Sequence, residues 1–160
     1  MRFEHLVQVN DPLMPLLPQL TREQLWQGLV LRAEQPMQFV LGLSGCEIHS
    51  RSKDADETTL ARTLDFGSFA VHDRVVLTPR QRSQTRTDAG PTWPRSRLTI
   101  TIEEPQPEQL FLRFLYEFEG PDETGQMAAE TDELRRQAYR SADLDTVARI
   151  RTLAESNRLG

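Results

Sequence analysis

Residues 60–75, with the sequence LARTLDFGSFAVHDRV, carry the pattern that decides the fold. Apolar and polar side chains alternate on both sides of Gly67-Ser68, which is typical of two half-buried strands joined by a turn. Glycine at the first turn position supplies the positive φ that a two-residue hairpin requires. The sequence therefore predicts an antiparallel hairpin whose register is fixed by its turn.

This register places two opposite charges among apolar residues. The predicted pairs on one face are Phe66 with Phe69, Leu64 with Val71, Arg62 with Asp73, and Leu60 with Val75. A buried charge must be paired, because an unpaired charge in an apolar interior is too costly. We therefore expect an ion pair between Arg62 and Asp73, which either orients a polar group of a ligand or only stabilises the fold. A one-residue slip would turn both side chains to solvent instead.

The same alternation extends from Cys46 to Phe118, interrupted by turn residues at hairpin spacing. A further strand is predicted at the start of the chain, over residues 2–9. The predicted strands of the long run are 46–52, 57–66, 69–78, 82–89, 97–104 and 109–119. The sequence therefore predicts an antiparallel sheet of about seven strands.

The predicted sheet has one apolar wall and one polar wall. The last two strands share an aliphatic and aromatic face made of Leu98, Ile100, Ile102, Leu110, Leu112, Phe114, Tyr116 and Phe118. The strand at 82–89 turns either its hydroxyls (Ser83, Thr85, Thr87) or Gln84 and Arg86 towards the same interior. A three-residue turn before it gives the first arrangement, beside Asp73, and a two-residue turn gives the second. Such a mixture of apolar lining and a few polar groups is common in ligand pockets.

Helices are predicted on either side of the strand run. Thr21 and Gln24 form a capping box, which predicts a helix over residues 22–33. From 124 to 157 apolar residues recur at steps typical of a long amphipathic helix. They are Met127, Leu134, Ala138, Ala142, Val147, Ile150 and Ala154. We therefore predict an α+β fold in one domain, residues 1–160, with a curved sheet closed by a C-terminal helix.

Composition excludes several classes of function. The chain has 160 residues, of which 38% are hydrophobic and 27% charged, as in a globular domain. A net charge of -5 with dispersed basic residues argues against nucleic acid. No stretch approaches the roughly 18 apolar residues of a membrane span, so no membrane insertion is predicted. The first residues lack an apolar signal region, and a cytoplasmic location is predicted.

Metal and cofactor sites are also not predicted. Cys46 is the only cysteine, which excludes an internal disulfide and a cysteine-rich zinc site. The three histidines are dispersed, without the spacing of metal ligands. The chain carries no complete catalytic motif, and the sequence leaves a homodimer open.

Several stretches resemble a known family. They are Asn10-Asp11-Pro12, LTREQLW at 20–26, Asp73-Arg74-Val75, LTITIEEP at 98–105 and ADLDTV at 142–147. In these residues the chain resembles the AtaL-like family of the START-like (SRPBCC, helix-grip) superfamily, over nearly its whole length. The resemblance implies a seven-stranded antiparallel sheet gripping a long C-terminal helix, with a cavity between them. The wider superfamily includes lipid carriers, plant-hormone receptors and aromatic polyketide cyclases.

The predicted function is binding of a small hydrophobic or amphipathic molecule in that cavity. The predicted ligand-binding residues are Arg62, Asp73, Leu64, Phe66, Val71, Thr85, Phe114 and Tyr116. A buried tyrosine normally needs a hydrogen-bond partner, and for Tyr116 this is either the ligand or the protein.

Two other hypotheses stay open. In an enzyme of cyclase or dehydratase type, Arg62 would stabilise an enolate and Asp73 or Tyr116 would transfer protons. In a protein-interaction or assembly module, the interior would be filled and a surface would carry an exposed apolar patch.

Overall fold

The computed structural model describes residues 1–121 and 124–159. In chain order its elements are β1 (Arg2–Gln8), α1 (Arg22–Glu34), a single 3-10 turn (Pro36–Gln38), β2 (Gly45–Asp54), β3 (Glu57–Asp65), β4 (Ala70–Thr78), β5 (Arg82–Thr87), β6 (Ser96–Gln106), β7 (Gln109–Phe118) and α2 (Gln126–Glu155). The predicted α+β class, the strand run and the long terminal helix are thus confirmed.

The seven strands form one antiparallel sheet in the order β1-β7-β6-β5-β4-β3-β2. From β2 to β7 every strand pairs with the next one along the chain, so the sheet is a succession of hairpins. The first strand pairs with the last, β1 with β7, and completes the sheet at the other edge. No helix of the described residues has the length and apolar character needed to cross a bilayer.

The central hairpin has the register that its sequence predicts. Gly67 has a φ of 91°, and its amide donates to Asp65 Oδ1 at 2.8 Å, which stabilises the two-residue turn. Arg62 lies opposite Asp73, and the neighbouring pair on the same face is Leu60 opposite Val75. The charges are therefore placed on the inner, apolar face of the sheet.

The turn between β4 and β5 has three residues, 79–81, and Arg80 takes a φ of 58° there. This length selects the first of the two registers left open by the sequence. The inward positions of β5 are held by hydroxyl residues, with Ser83 opposite Leu77, Thr85 opposite Val75 and Thr87 opposite Asp73.

Helix α1 begins with the predicted capping box. The Thr21 hydroxyl oxygen accepts from the backbone amide of Gln24, and the side-chain oxygen of Gln24 accepts from the backbone amide of Thr21. Close packing against α2 depends on Gly28. A Cβ at this position would lie 2.6 Å from Cγ2 of Ile150, which is closer than two carbon atoms can approach. The absence of a side chain at Gly28 thus lets the two helices meet over the core.

Helix α2 is buried along its C-terminal part only. The buried residues are Asp143, Thr146, Val147, Ile150 and Leu153, at helical spacings of three and four. The predicted apolar stripe is right for Val147 and Ile150, and Ala154 is partly buried against the core. It is wrong for Met127, Leu134, Ala138 and Ala142, which are exposed. The face that meets the sheet also carries Asp143 and Thr146, and Asp143 contacts two polar partners on the sheet, Tyr116 and His5.

Candidate functional site

A pocket of ≈ 240 Å³ lies on the inner side of the sheet, beside the end of α1 and the middle of α2. Its polar side has Arg62 and Asp73 with the hydroxyls of Thr85 and Thr87. The aromatic side is formed by Tyr116, Phe118 and Tyr139, and α1 contributes Arg32. A larger surface depression of ≈ 450 Å³ adjoins it, because both include Ser96, Arg97 and Phe118.

Arg62 and Asp73 form a bidentate ion pair in the wall of this pocket. Arg62 Nε donates to Asp73 Oδ1 at 2.8 Å, and Nη2 donates to Oδ2 at 2.7 Å. The remaining terminal nitrogen, Nη1, donates to the Ala33 carbonyl at 2.8 Å. Both side chains are buried, and fork-to-fork geometry of this kind is the strong form of the interaction. The pair therefore presents dipoles to the pocket but no net charge.

Tyr116 finds its partner within the protein. Its hydroxyl donates to Asp143 Oδ1 at 2.5 Å, and Nδ1 of His5 lies 3.2 Å from the other oxygen, Oδ2. The three residues come from β7, α2 and β1, so the cluster joins α2 to two neighbouring strands at one edge of the sheet, beside the pocket. Asp143 itself is 1% exposed.

Burial dominates the acid–base properties of this cluster. It raises the pKa of Asp143, and the hydrogen bonds from Tyr116 and His5 oppose the rise. The pKa of Tyr116 is also raised, first by burial and then by the negative charge of Asp143. The phenol therefore keeps its proton and acts as a hydrogen-bond donor at neutral pH.

Two tyrosines give the pocket a flat aromatic wall. The rings of Tyr116 and Tyr139 are stacked, with centroids 4.2 Å apart and an interplanar angle of 12°. Phe118 continues the wall, with its centroid 6.0 Å from that of Tyr139. Ring faces arranged in this way favour a planar apolar group beside them.

Arg32 differs from the other polar groups of the pocket. It lies in the last turn of α1 and is partly buried. Its Nε is shielded from solvent without a hydrogen-bond partner in the described structure. Burial lowers the pKa of this guanidinium, although the charges of Asp143 and Asp73 act in the opposite direction.

The pocket brings together five of the eight residues predicted to bind a ligand, namely Arg62, Leu64, Asp73, Thr85 and Tyr116. Phe114 is fully buried in the core beneath the pocket. Phe66 stacks on Phe69 at the end of the central hairpin, with centroids 5.0 Å apart, and Val71 lies opposite Leu64. For all eight residues, a role in ligand binding remains a prediction.

Sequence reasoning missed Arg32, Asp143 and His5. Each had a signal in its spacing. His5 alternates with Phe3 and Val7 on the inner face of β1, Asp143 precedes Val147 by four residues, and Arg32 follows Leu25 and Leu29 at helical spacing. Within the described residues no group of histidine, cysteine and acidic side chains could hold a metal ion.

Comparison with known proteins agrees with this architecture. Residues 7–157 match the model of a family described as acetylaranotin biosynthesis cluster protein L (AtaL). Among curated proteins no sequence matches the chain.

Solved structures share the fold at low sequence identity. The di-domain ARO/CYC StfQ from the steffimycin biosynthetic pathway is 9% identical with a TM-score of 0.67, over 98% of this chain and 51% of StfQ. The Zhui aromatase/cyclase from Streptomyces sp. R1128 is 14% identical with a TM-score of 0.60, over 97% and 93% of the two chains. A START superfamily protein from Mycobacterium smegmatis is 13% identical with a TM-score of 0.60, over 95% and 98%. The chain thus spans about half of StfQ, and the START-like helix-grip fold is confirmed.

Proposed function

The chain belongs to the AtaL family, and on that premise we propose that it binds a small amphipathic molecule in the pocket between the sheet and α2. The observation that carries the proposal is a pocket of ≈ 240 Å³ whose two sides differ in chemistry. Ligand sites usually combine a broad apolar lining with a few polar groups that fix orientation. An assembly module would have a filled interior, so the pocket favours ligand binding over that hypothesis.

The aromatic wall determines the kind of ligand body that fits. A planar ring can lie against Tyr139, which is stacked on Tyr116 and borders the pocket. The volume of ≈ 240 Å³ is slightly below the usual range for ligand pockets, about 300–1,000 Å³, and favours a compact molecule over a long acyl chain. On the opposite side, the hydroxyls of Thr85 and Thr87 provide hydrogen bonds for its polar end.

Titration with 2-naphthol, a compact aromatic alcohol, tests this proposal. We expect saturable binding by isothermal titration calorimetry and a rise in melting temperature. Tyr139→Ala should weaken binding roughly twofold to tenfold, because an aromatic pair contributes about 0.5–1.5 kcal/mol beyond its buried area. Phe69→Ala is the matched control, since Phe69 is an aromatic residue at the hairpin end and outside the pocket lining. The proposal would be contradicted if the wild type did not bind 2-naphthol, or if Tyr139→Ala and Phe69→Ala lost affinity equally.

A second candidate is an enzyme of cyclase or dehydratase type, and the Tyr116–Asp143–His5 cluster favours it. Tyr116 borders the pocket, and its hydroxyl donates to a carboxylate whose pKa is raised by burial. Asp73 is less suited to proton transfer, because both of its oxygens accept hydrogen bonds from Arg62. Deuterium exchange at the central carbon of benzoylacetone, a 1,3-diketone, tests this function. Exchange accelerated by the protein and lost in Asp143→Asn, with benzoylacetone still bound, would support catalysis of enolisation.

A further inference from the structure

Three arginines border the pocket, and they differ in their partners. Arg62 is neutralised by Asp73, and Arg97 Nη2 forms an ion pair with Glu117 Oε1 at 3.0 Å. For Arg32 there is neither an ion pair nor a hydrogen bond within residues 1–121 and 124–159. The pocket thus contains one positive charge that the described protein does not balance by direct contact.

Nearby carboxylates are already engaged by other groups. Asp73 accepts two hydrogen bonds from Arg62, and Asp143 accepts one from Tyr116 and lies against His5. Their charges, and the partial negative charge at the C-terminal end of α1, attract Arg32 at a distance. None of these replaces the hydrogen bonds that a partly buried guanidinium loses with water.

We propose that Arg32 binds a planar anionic group of the ligand, a carboxylate above all. A guanidinium fits a carboxylate with two parallel hydrogen bonds, which gives orientation as well as affinity. The inference rests on the proposed function, because the aromatic body of the same ligand lies along Tyr139 in the same pocket. The ligand class is therefore a compact aromatic carboxylic acid, with its ring on the tyrosines and its carboxylate at the end of α1.

Two probes of nearly the same shape test the charge requirement. 2-Naphthoate carries the carboxylate at neutral pH, whereas 2-naphthamide has a neutral amide in the same place. We expect the wild-type protein to bind 2-naphthoate roughly tenfold to a hundredfold more tightly in calorimetric titrations, as for a hydrogen bond to a charged group.

Substitution of Arg32 assigns the preference to one residue. Arg32→Gln should reduce the affinity for 2-naphthoate to that for 2-naphthamide, while 2-naphthamide binds as in the wild type. Arg32→Lys should keep part of the preference, because it retains the charge but not the planar fork. Arg22→Gln is the matched control. Arg22 lies on the same helix and pairs with Glu104 outside the pocket, so its loss should leave the preference intact.

The outcomes separate this inference from the proposed function. Equal binding of both probes by the wild type would overturn the role of Arg32 and leave ligand binding supported. A preference that survives in Arg32→Gln, or loss of both probes in that variant, would also overturn it. If neither probe binds the wild type, both the inference and the proposed aromatic ligand fail.

Discussion

The two parts of α2 differ in what they contact. The C-terminal part packs on the core, where Ile150 and Leu153 are 0% and 1% exposed. Along residues 126–142, all of them described, no side chain is buried, and Leu134 is 68% exposed. One helix therefore closes the apolar core with its end and leaves a pocket beside its middle. The residues that stabilise the fold by packing and those beside the candidate site are thus separated along a single helix.

Several buried polar groups line the pocket or contact its lining residues. Arg62, Asp73 and Tyr116 line the pocket, and Asp143 accepts a hydrogen bond from Tyr116, whereas the apolar core contains residues such as Leu112. Buried polar groups are stable only when their hydrogen bonds are satisfied. The pocket is thus maintained by specific hydrogen bonds. The C-terminal part of α2 is held mainly by apolar contact, with one hydrogen bond from Arg151 to the Val9 carbonyl.

The largest expected effect comes from breaking the ion pair at the pocket end. Asp73→Leu leaves Arg62 buried without its counter-charge, and we expect the free energy of unfolding to fall by about 3–5 kcal/mol in urea denaturation. In the double variant Arg62→Met with Asp73→Leu, most of that stability should return, because no unpaired charge is left. A loss of only about 0–1 kcal/mol in the single variant would show that the pair behaves like one at the surface.

A slightly smaller loss of stability is expected from a substitution in the C-terminal part of α2. Ile150→Ala removes a fully buried side chain that covers Gly28, so we expect a loss of about 2–5 kcal/mol. The matched control on the same helix is Leu134→Ala, which should change stability by about 0.5 kcal/mol or less because Leu134 is exposed. Similar losses in the two variants, measured by the same denaturation, would remove the distinction between the two parts of α2.

Much of the sheet could be predicted because its registers are local. The turn at Gly67-Ser68 determines that Arg62 faces Asp73, and only the length of the next turn was left to decide the orientation of Thr85. These relations depend on a few consecutive residues. The order of such hairpins and one long helix predicted a curved sheet closed by a helix, and the resemblance to the AtaL-like family then implied the START-like architecture.

The candidate site could be predicted only in part, because it joins elements that are distant in sequence. Asp143 meets Tyr116 and His5 only once α2 lies across the sheet, and the rotation of α2 is set by that packing. Alanines such as Ala138 and Ala142 gave α2 an apparent apolar stripe on another side. Arg32 was missed for a different reason, since an unpaired charge can be recognised only when the surrounding partners are known.

The smallest effect concerns the residue at the junction of the two parts, Asp143. Burial raises the pKa of Asp143 above its ordinary value of 3.8. At a pH between 3.8 and the native pKa, the native state therefore holds a proton that the unfolded chain has released. The stability contributed by this group is therefore full below 3.8 and is lost as pH rises through the native pKa.

Asp143→Asn removes this titration but keeps an oxygen that accepts the hydrogen bond from Tyr116. We expect the stability of the variant relative to the wild type to increase with pH across this window, by about 1.4 kcal/mol for each unit of pKa shift. Urea denaturation of both proteins at a series of acidic pH values, from 3.8 upward, measures the difference. A difference that stays constant or decreases would mean that the hydrogen bonds from His5 and Tyr116 compensate for the burial of Asp143.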